Sequence, residues 1–293
     1  MPPHLSITLG DARVLASGRW RWLRAIGWML ALLVGAVLLL GLPALARHLA
    51  HPRMEVVRAL TVTTIVVVYV AYWFAVRFAE QRRAVEIEPR PLLPQLAVGV
   101  LIGAGMFTLV FASLRLAGLY TLAPGQWTDW GNDVTKTLAT GFVEEMLFRA
   151  IVFRLLMRAF GPNWALGLSA LLFGALHLLN PNATWFAALA IAIEAGLMLA
   201  AFYLLTGRLW MSVGVHAAWN FMQGPFFGAR VSGGTEVGSL FTSGPVEGVP
   251  ALLSGGPFGP EASLSAILIG LAVFLLVWRA AQGAGRSAWA SAR

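Results

Sequence analysis

Six residues of this chain have the types and spacing to do chemistry together. Glu144 and Glu145 lie side by side in Gly141-Phe142-Val143-Glu144-Glu145-Met146-Leu147-Phe148-Arg149. On a helix, Glu145 and Arg149 are four residues apart, share a face and can form an ion pair. Glu144 is turned about 100° away from that face and lacks this partner. The division of labour is then a structural pair, Glu145 with Arg149, beside a carboxylate free to act as a general base, Glu144. His177 closes Phe173-Gly174-Ala175-Leu176-His177, and His216 and Asn220 stand four apart in His216-Ala217-Ala218-Trp219-Asn220. Two donors on one helical face can stabilise an oxyanion, or one of them can orient water or a metal ion. A base, histidines and a carboxamide on separate helices suit water-driven hydrolysis of an amide.

Blander roles exist for each residue alone. A histidine inside an apolar helix often makes only a helix-to-helix hydrogen bond, and a Glu-Arg pair can be a packing lock. The conjunction is what argues for function, because a charge at the bilayer centre costs about 2.5–3.5 kcal/mol on insertion scales. Glu194 is a further carboxylate within an apolar run; it can line the same cavity, pair with a histidine, or serve structure alone. Trp185, Trp210 and Trp219 read as interface anchors or core.

The elements that must position these residues are membrane helices. The chain has 293 residues, 58% hydrophobic and only 12% charged, with a mean hydropathy of +0.75. A soluble domain carries about twice that charged share, so lipid is the expected solvent. Eight apolar segments read as spans, about 25–46, 57–79, 95–120, 134–158, 164–180, 184–206, 209–224 and 263–281. The expectation is an all-α polytopic membrane protein, a bundle of about eight transmembrane helices around an intramembrane polar cavity. The first run is too long for a signal h-region and is expected to stay as an uncleaved span. With the N-terminus inside, fourteen Lys and Arg fall on the cytoplasmic side, and five (Arg47, Arg53, Arg58, Lys136 and Arg230) fall outside. This bias places both termini in the cytoplasm, although the first outer loop is discordantly basic. The net charge of +8 belongs to that pattern, and nucleic acid is not an expected partner. No cysteine is present, which excludes disulfides, thiolate zinc sites and a cysteine nucleophile. Residues 80–94, with charges of both signs, Pro91 and Pro94, read as a cytoplasmic connector. Residues 224–262 hold ten Gly and five Pro and read as a long flexible outer loop, with a lid as the alternative.

The motifs E-E-x-x-x-R (Glu144, Glu145, Arg149), F-x-x-x-H (Phe173, His177) and H-x-x-x-N (His216, Asn220) resemble those of the CPBP family of intramembrane proteases. This family comprises the CAAX proteases and bacteriocin-processing proteins, also called Abi. Thr206-Gly207-Arg208-Leu209-Trp210 and Trp219-Asn220-Phe221 are similar as well. The resemblance covers about residues 134–224 and implies a catalytic core over 131–224. Around it lie N-terminal helices over 1–130, the loop 225–262, and a last helix with a basic tail over 263–293. By analogy with the type II CAAX prenyl endopeptidase, it implies that Glu144 and His177 activate the attacking water, His216 and Asn220 hold the oxyanion, and Arg149 orients the glutamate pair. No cofactor is expected; if a metal such as zinc takes part, Glu144, His177 and His216 are its implied ligands. The implied substrate is a membrane-associated protein or peptide, and the Arg- and Ala-rich composition points to a bacterial inner membrane.

Three competing readings are a non-catalytic immunity or scaffold protein that binds a partner in the same cavity, a proton-coupled transporter, and a rhomboid-like serine protease. The intact motif set favours catalysis over the first. The absence of paired half-repeats disfavours the second, and the lack of G-x-S-x-G the third.

Overall fold

The computed structural model describes residues 7–234 and 238–290. It is an all-helical polytopic membrane protein. Helix α1 is Arg21–Ala50, α2 Met54–Ala75 and α3 Leu92–Leu116. Helix α4, Trp130–Glu145, runs through a π segment, Met146–Phe153, into α5, Arg154–Phe160. Helix α6 is Pro162–Leu176. Helix α7, Trp185–Ile191, passes through a second π segment, Ala192–Leu197, into α8, Met198–Thr206. Helix α9 is Trp210–Phe221, α10 Ala251–Ser254 and α11 Leu264–Ala290. The exception to helix is a ribbon in which strand β1, Tyr120–Pro124, pairs antiparallel with β2, Phe241–Pro245, Tyr120 opposite Pro245.

Among the described residues, six helical runs are long and apolar enough to cross a bilayer: Arg21–Ala50, Met54–Glu80, Leu92–Leu116, Pro162–Leu179, Trp185–Thr206 and Leu264–Gly283. The expected spans at 134–158 and 209–224 are not among them, for two different reasons. The helix from Trp130 to Phe160 is long enough, but Glu144, Glu145, Arg149, Arg154 and Arg158 interrupt its apolar character. Helix α9 is apolar but has only 12 residues before its own π segment, Met222–Phe226. Residues 146–159 and α9 are packed mostly inside the surrounding helices, so neither stretch needs a full apolar span. The lipid-facing surface is carried by α1, α2, α3 and α11, which leave Leu38, Leu42, Val66, Leu101, Leu116 and Leu276 exposed.

Helix ends follow local chemistry. Asp129 caps α4 by accepting from the Asn132 amide at 3.1 Å, and Arg58 holds that carboxylate at 2.7 Å. Thr184 caps α7 at the Ala187 amide, 3.0 Å. Pro162 opens α6, where a missing amide proton costs nothing. Gly207 ends α8 in the left-handed region, at φ 64°, and turns the chain so that Arg208 reaches Glu88 at 3.1 Å. Trp210 Nε1 then donates to the Glu88 carbonyl at 2.7 Å. The Thr206-to-Trp210 motif is thus the clasp between the α8–α9 turn and the connector.

Helices α3 and α9 cross in close contact through small residues. A Cβ placed on Gly103 would stand 2.9 Å from the Val215 Cα, and one on Gly99 3.0 Å from the Gly214 Cα. Backbone-to-backbone packing of this kind needs glycine and is a common means of helix association in lipid.

The connector departs from its sequence reading as a solvated loop. Glu80 and Glu86 are buried, and so are Arg82 and Arg154. Arg154 grips Glu80 with both terminal nitrogens, at 2.7 and 2.9 Å. Arg82 bridges Glu80 at 2.6 Å and Glu86 at 2.6 and 2.8 Å. Tyr72 donates to Glu86, and Trp28 Nε1 donates to Glu80 at 2.9 Å. Two guanidiniums therefore balance two carboxylates, and the cluster ties α1, α2, the connector and α5 together. The loop expected over 225–262 also has structure: it supplies β2, α10 and a 3-10 turn at Pro260–Ala262, and Tyr120 bonds back to the Ser254 carbonyl at 3.0 Å.

Removing one member of the buried cluster strands its partner, so Arg154→Met should cost about 3–5 kcal/mol of stability. The double variant Glu80→Gln with Arg154→Met should recover much of that loss. Thermal unfolding in detergent reads both, and an unchanged melting temperature in the single variant would refute the arrangement. Burial pushes the Glu86 carboxyl up, but the Arg82 hydrogen bonds and the Arg154 and Arg82 charges outweigh it and hold the group below its usual range. Its contribution to stability is therefore full above the ordinary carboxylate range and is lost as pH falls through the lower folded value. Glu86→Gln should flatten this acid limb of the melting curve.

Candidate active site

A cavity of about 200 Å³ lies between α4, α6, the α7–α8 run and α9. Glu144, His177, Glu194, His216 and Asn220 all line it, with the Phe173 ring. These residues thus converge from four helical runs on one space, whereas Glu145 and Arg149 lie outside its lining.

The centre of the site is Glu145, which does not face the cavity and is 0% exposed. Its Oε2 stands 3.0 Å from Nε of Arg149, four residues on in the π segment Met146–Phe153. Its Oε1 meets His216 Nδ1 at 2.9 Å, a contact between α4 and α9 that spacing along the chain does not reveal. The Glu145 oxygen accepts from Nδ1–H, which turns the other ring nitrogen toward the cavity. There His216 Nε2 lies 3.9 Å from Glu144 Oε2. Arg149, Glu145, His216 and Glu144 form a line of alternating charge or polarity that begins in the protein and ends at the cavity wall.

The π segments make this line possible. A π turn adds a residue to the helical repeat and loosens the backbone hydrogen-bond ladder. In Ala192–Leu197 the carbonyls of Ala195 and Gly196 accept from Arg149 Nη2, at 3.2 and 3.4 Å. Arg149 also lies over the Phe173 ring, 4.8 Å from its centroid, a favourable contact for a desolvated guanidinium. The Phe of F-x-x-x-H therefore floors the ion pair, and its ring also meets His177 and His216, with centroids at 4.9 and 6.2 Å. Spacing alone had not assigned Phe173 this part.

His177 sits where α6 tightens into a 3-10 turn, His177–Leu179. Its Nδ1 is 2.8 Å from the Phe173 carbonyl, so Nδ1–H is the donor and Nε2 takes no part in that bond. Asn220 is half-buried at the end of α9. Beyond it, Gln223 is fully buried; its Oε1 accepts from Trp219 Nε1 at 3.0 Å, and its amide donates to the Arg230 carbonyl at 2.7 Å. Trp219 and Trp210 are core residues, while Trp185 is 81% exposed, as an anchor would be. Glu194 lines the cavity, and among the described residues no histidine pairs with it.

Glu144, His177 and His216 share the cavity, but among the described residues no three His, Asp or Glu side chains gather into a group able to hold a metal ion. The zinc set implied by resemblance therefore does not fit this arrangement. Glu144 and Thr140 also line a second opening, of about 310 Å³, together with Leu40, Arg47, Thr61 and Ile65. Glu144 is thus reached from the side of α1 and α2 as well.

Neither a curated protein nor a solved structure matches the chain. Residues 126–222, about a third of the sequence, match the family described as type II CAAX prenyl endopeptidase Rce1-like, a protease family, and Glu144, Glu145, Arg149, His177, His216 and Asn220 all fall within the matched segment.

Proposed function

We propose that this chain is an intramembrane endopeptidase that hydrolyses a peptide bond in a membrane-associated protein or peptide. The observation that carries the reading is His216 held between Glu145 at 2.9 Å and Glu144 at 3.9 Å, on the wall of a cavity that also presents His177 and Asn220. The peptidase family match supports it.

Glu144 and His177 both line the cavity, and in this reading they are the groups that receive the attacking water. Glu144 takes its proton as the oxygen attacks the scissile carbonyl carbon, and the π electrons of the carbonyl move onto its oxygen. The oxyanion is met by the Asn220 amide and by His216 Nε2. To donate from Nε2 while Nδ1–H stays on Glu145, His216 must carry both protons, and the two carboxylates beside it compensate that charge. Collapse of the tetrahedral intermediate breaks the C–N bond, and the proton held by Glu144 passes to the leaving amine. Arg149 and Glu145 touch no reacting atom; they position His216. The reading is metal-free because the candidate donors do not gather. The protein would work in a bacterial inner membrane with both termini in the cytoplasm.

Glu144→Gln should lower cleavage by about 10²–10⁴-fold, the usual contribution of general base catalysis, with the melting temperature unchanged because Glu144 is partly exposed. Mapping new protein termini in host membranes against this variant, at matched expression, measures cleavage and names the substrate; identical termini would overturn the proposal. Arg149→Ala should lower activity and also stability, by about 3–5 kcal/mol, because Glu145 is left buried and unpaired on that side. Activity of the purified protein should survive chelation with EDTA or phenanthroline, and a loss restored by zinc would refute the metal-free mechanism.

A further inference from the structure

The basic stretch that joins α1 to α2 is discordant with the charge pattern of the rest of the sequence, and the position of Arg47 gives it a role. Arg47 leaves α1 close to its last residue, Ala50, and crosses to α2. There its Nη1 donates to Thr61 Oγ1 at 2.8 Å. The Thr61 hydroxyl donates in turn to the Val57 carbonyl at 2.8 Å, so its lone pairs are left for the guanidinium. Thr61 lies about 10 Å along α2 from the helix start at Met54. Arginines near the ends of membrane helices commonly extend outward to water. Arg47 is instead tied to a hydroxyl about two turns inside α2, a direction that the tilt of a helical Cβ toward its own N-terminus favours.

Arg47 lines the opening of about 310 Å³ that also reaches Glu144. Leu40, Ile65, Ala139 and Val143 make much of its wall apolar. Arg58 and Arg208 are paired with Asp129 and Glu88, Arg82 and Arg154 with Glu80, and Arg149 with Glu145. Among the described residues Arg47 has no carboxylate partner, and its acceptor is the neutral Thr61 hydroxyl. A guanidinium carries five donors in a planar fork, so most of them remain for a ligand. Thr140, on the same wall, offers another. Thr61, Thr64, Thr135 and Thr137 each donate to a carbonyl one turn back, whereas the Thr140 hydroxyl makes no such bond among the described residues. A guanidinium and a hydroxyl in a mostly apolar opening suit a carboxylate.

We propose that Arg47 is a specificity residue that receives a carboxylate of the substrate, from an acidic side chain or from the chain end, in the opening between α1, α2 and α4. Arg47 and Glu144 line one small space. A carboxylate held at the first and a scissile carbonyl held at the second therefore belong to one short stretch of peptide. A lipid phosphate carries the same charge, but it has no use for a wall shared with Glu144. The inference rests on the endopeptidase reading for the word substrate, yet carboxylate binding is measured without turnover.

The test uses the full chain carrying Glu144→Gln in phosphatidylcholine nanodiscs, with empty nanodiscs as the blank. Three labelled apolar peptides are titrated by fluorescence anisotropy. One ends in an amide and has a single internal Glu, one has Gln in that place, and one is the Gln peptide with a free C-terminal carboxylate. An acidic peptide should bind about tenfold tighter than the Gln amide, as for a partly desolvated charge pair, and the peptide that does so names the source of the carboxylate. Adding Arg47→Gln should abolish the preference. Arg47→Lys should keep part of it, because the charge remains without the planar fork. A purely structural role would instead weaken all three peptides alike and lower the melting temperature. Equal binding of the three peptides, or a preference that survives Arg47→Gln, would overturn the proposal. So would Arg47-dependent retention of phosphatidylglycerol on the purified chain without any peptide preference, since a lipid phosphate would then be the occupant. Wild-type cleavage of the same peptides separates the two ideas: a carboxylate preference in binding without any cleavage upholds the Arg47 site and sinks the endopeptidase reading, whereas cleavage indifferent to the carboxylate does the reverse.

Discussion

A carboxylate with no access to water must be answered on both oxygens, and in this molecule the answer to Glu145 organises the site. Arg149 meets one oxygen from the same helix and His216 the other from α9. Once Nδ1 of His216 is engaged, the ring can present only Nε2 to the cavity, next to Glu144. The register of α9 against α4 is therefore coupled to the chemistry of a single nitrogen. The close approach is permitted by small residues: Gly141 faces the Val213 carbonyl and Ala217. A larger residue at either position would separate the carboxylate from the imidazole, and a buried charge would lose half its compensation.

Irregular helix carries several of the buried polar side chains. The π segments carry Glu80, Arg149, Glu194 and Gln223, and each of these side chains is 2% exposed or less. A regular helix in lipid satisfies most of its own backbone. A π turn releases carbonyls, as at Ala195 and Gly196, which accept from Arg149. The distortion thus supplies acceptors in a region without water.

Two buried ionic clusters of opposite character result. Around the connector, Glu80 and Glu86 are matched by Arg82 and Arg154, with Tyr72 and Trp28 adding hydrogen bonds. That cluster is saturated, and its role is to lock α1, α2 and α5 to the connector. At the cavity, Glu144 is partly exposed. An ionic cluster with all its acceptors filled holds structure, whereas one that opens onto a cavity has room for a ligand.

Much of this was legible in the sequence, because lipid makes polarity informative. Apolar runs identified most of the helices, and the helical repeat placed Glu145 with Arg149 and His216 with Asn220 on shared faces. Spacing of three or four residues determines a face wherever the helix is regular, so these local relations needed no coordinates. Contacts between helices were not legible, since no rule of spacing links Glu145 to His216 across 71 residues, or Arg154 to Glu80 across 74. The same limit explains two departures. Helix α9 looked like a span because it is apolar, yet its neighbours are protein; the connector looked solvated because it is charged, yet its charges neutralise one another in the interior. Composition reports how polar a segment is, and only the tertiary structure decides what stands beside it.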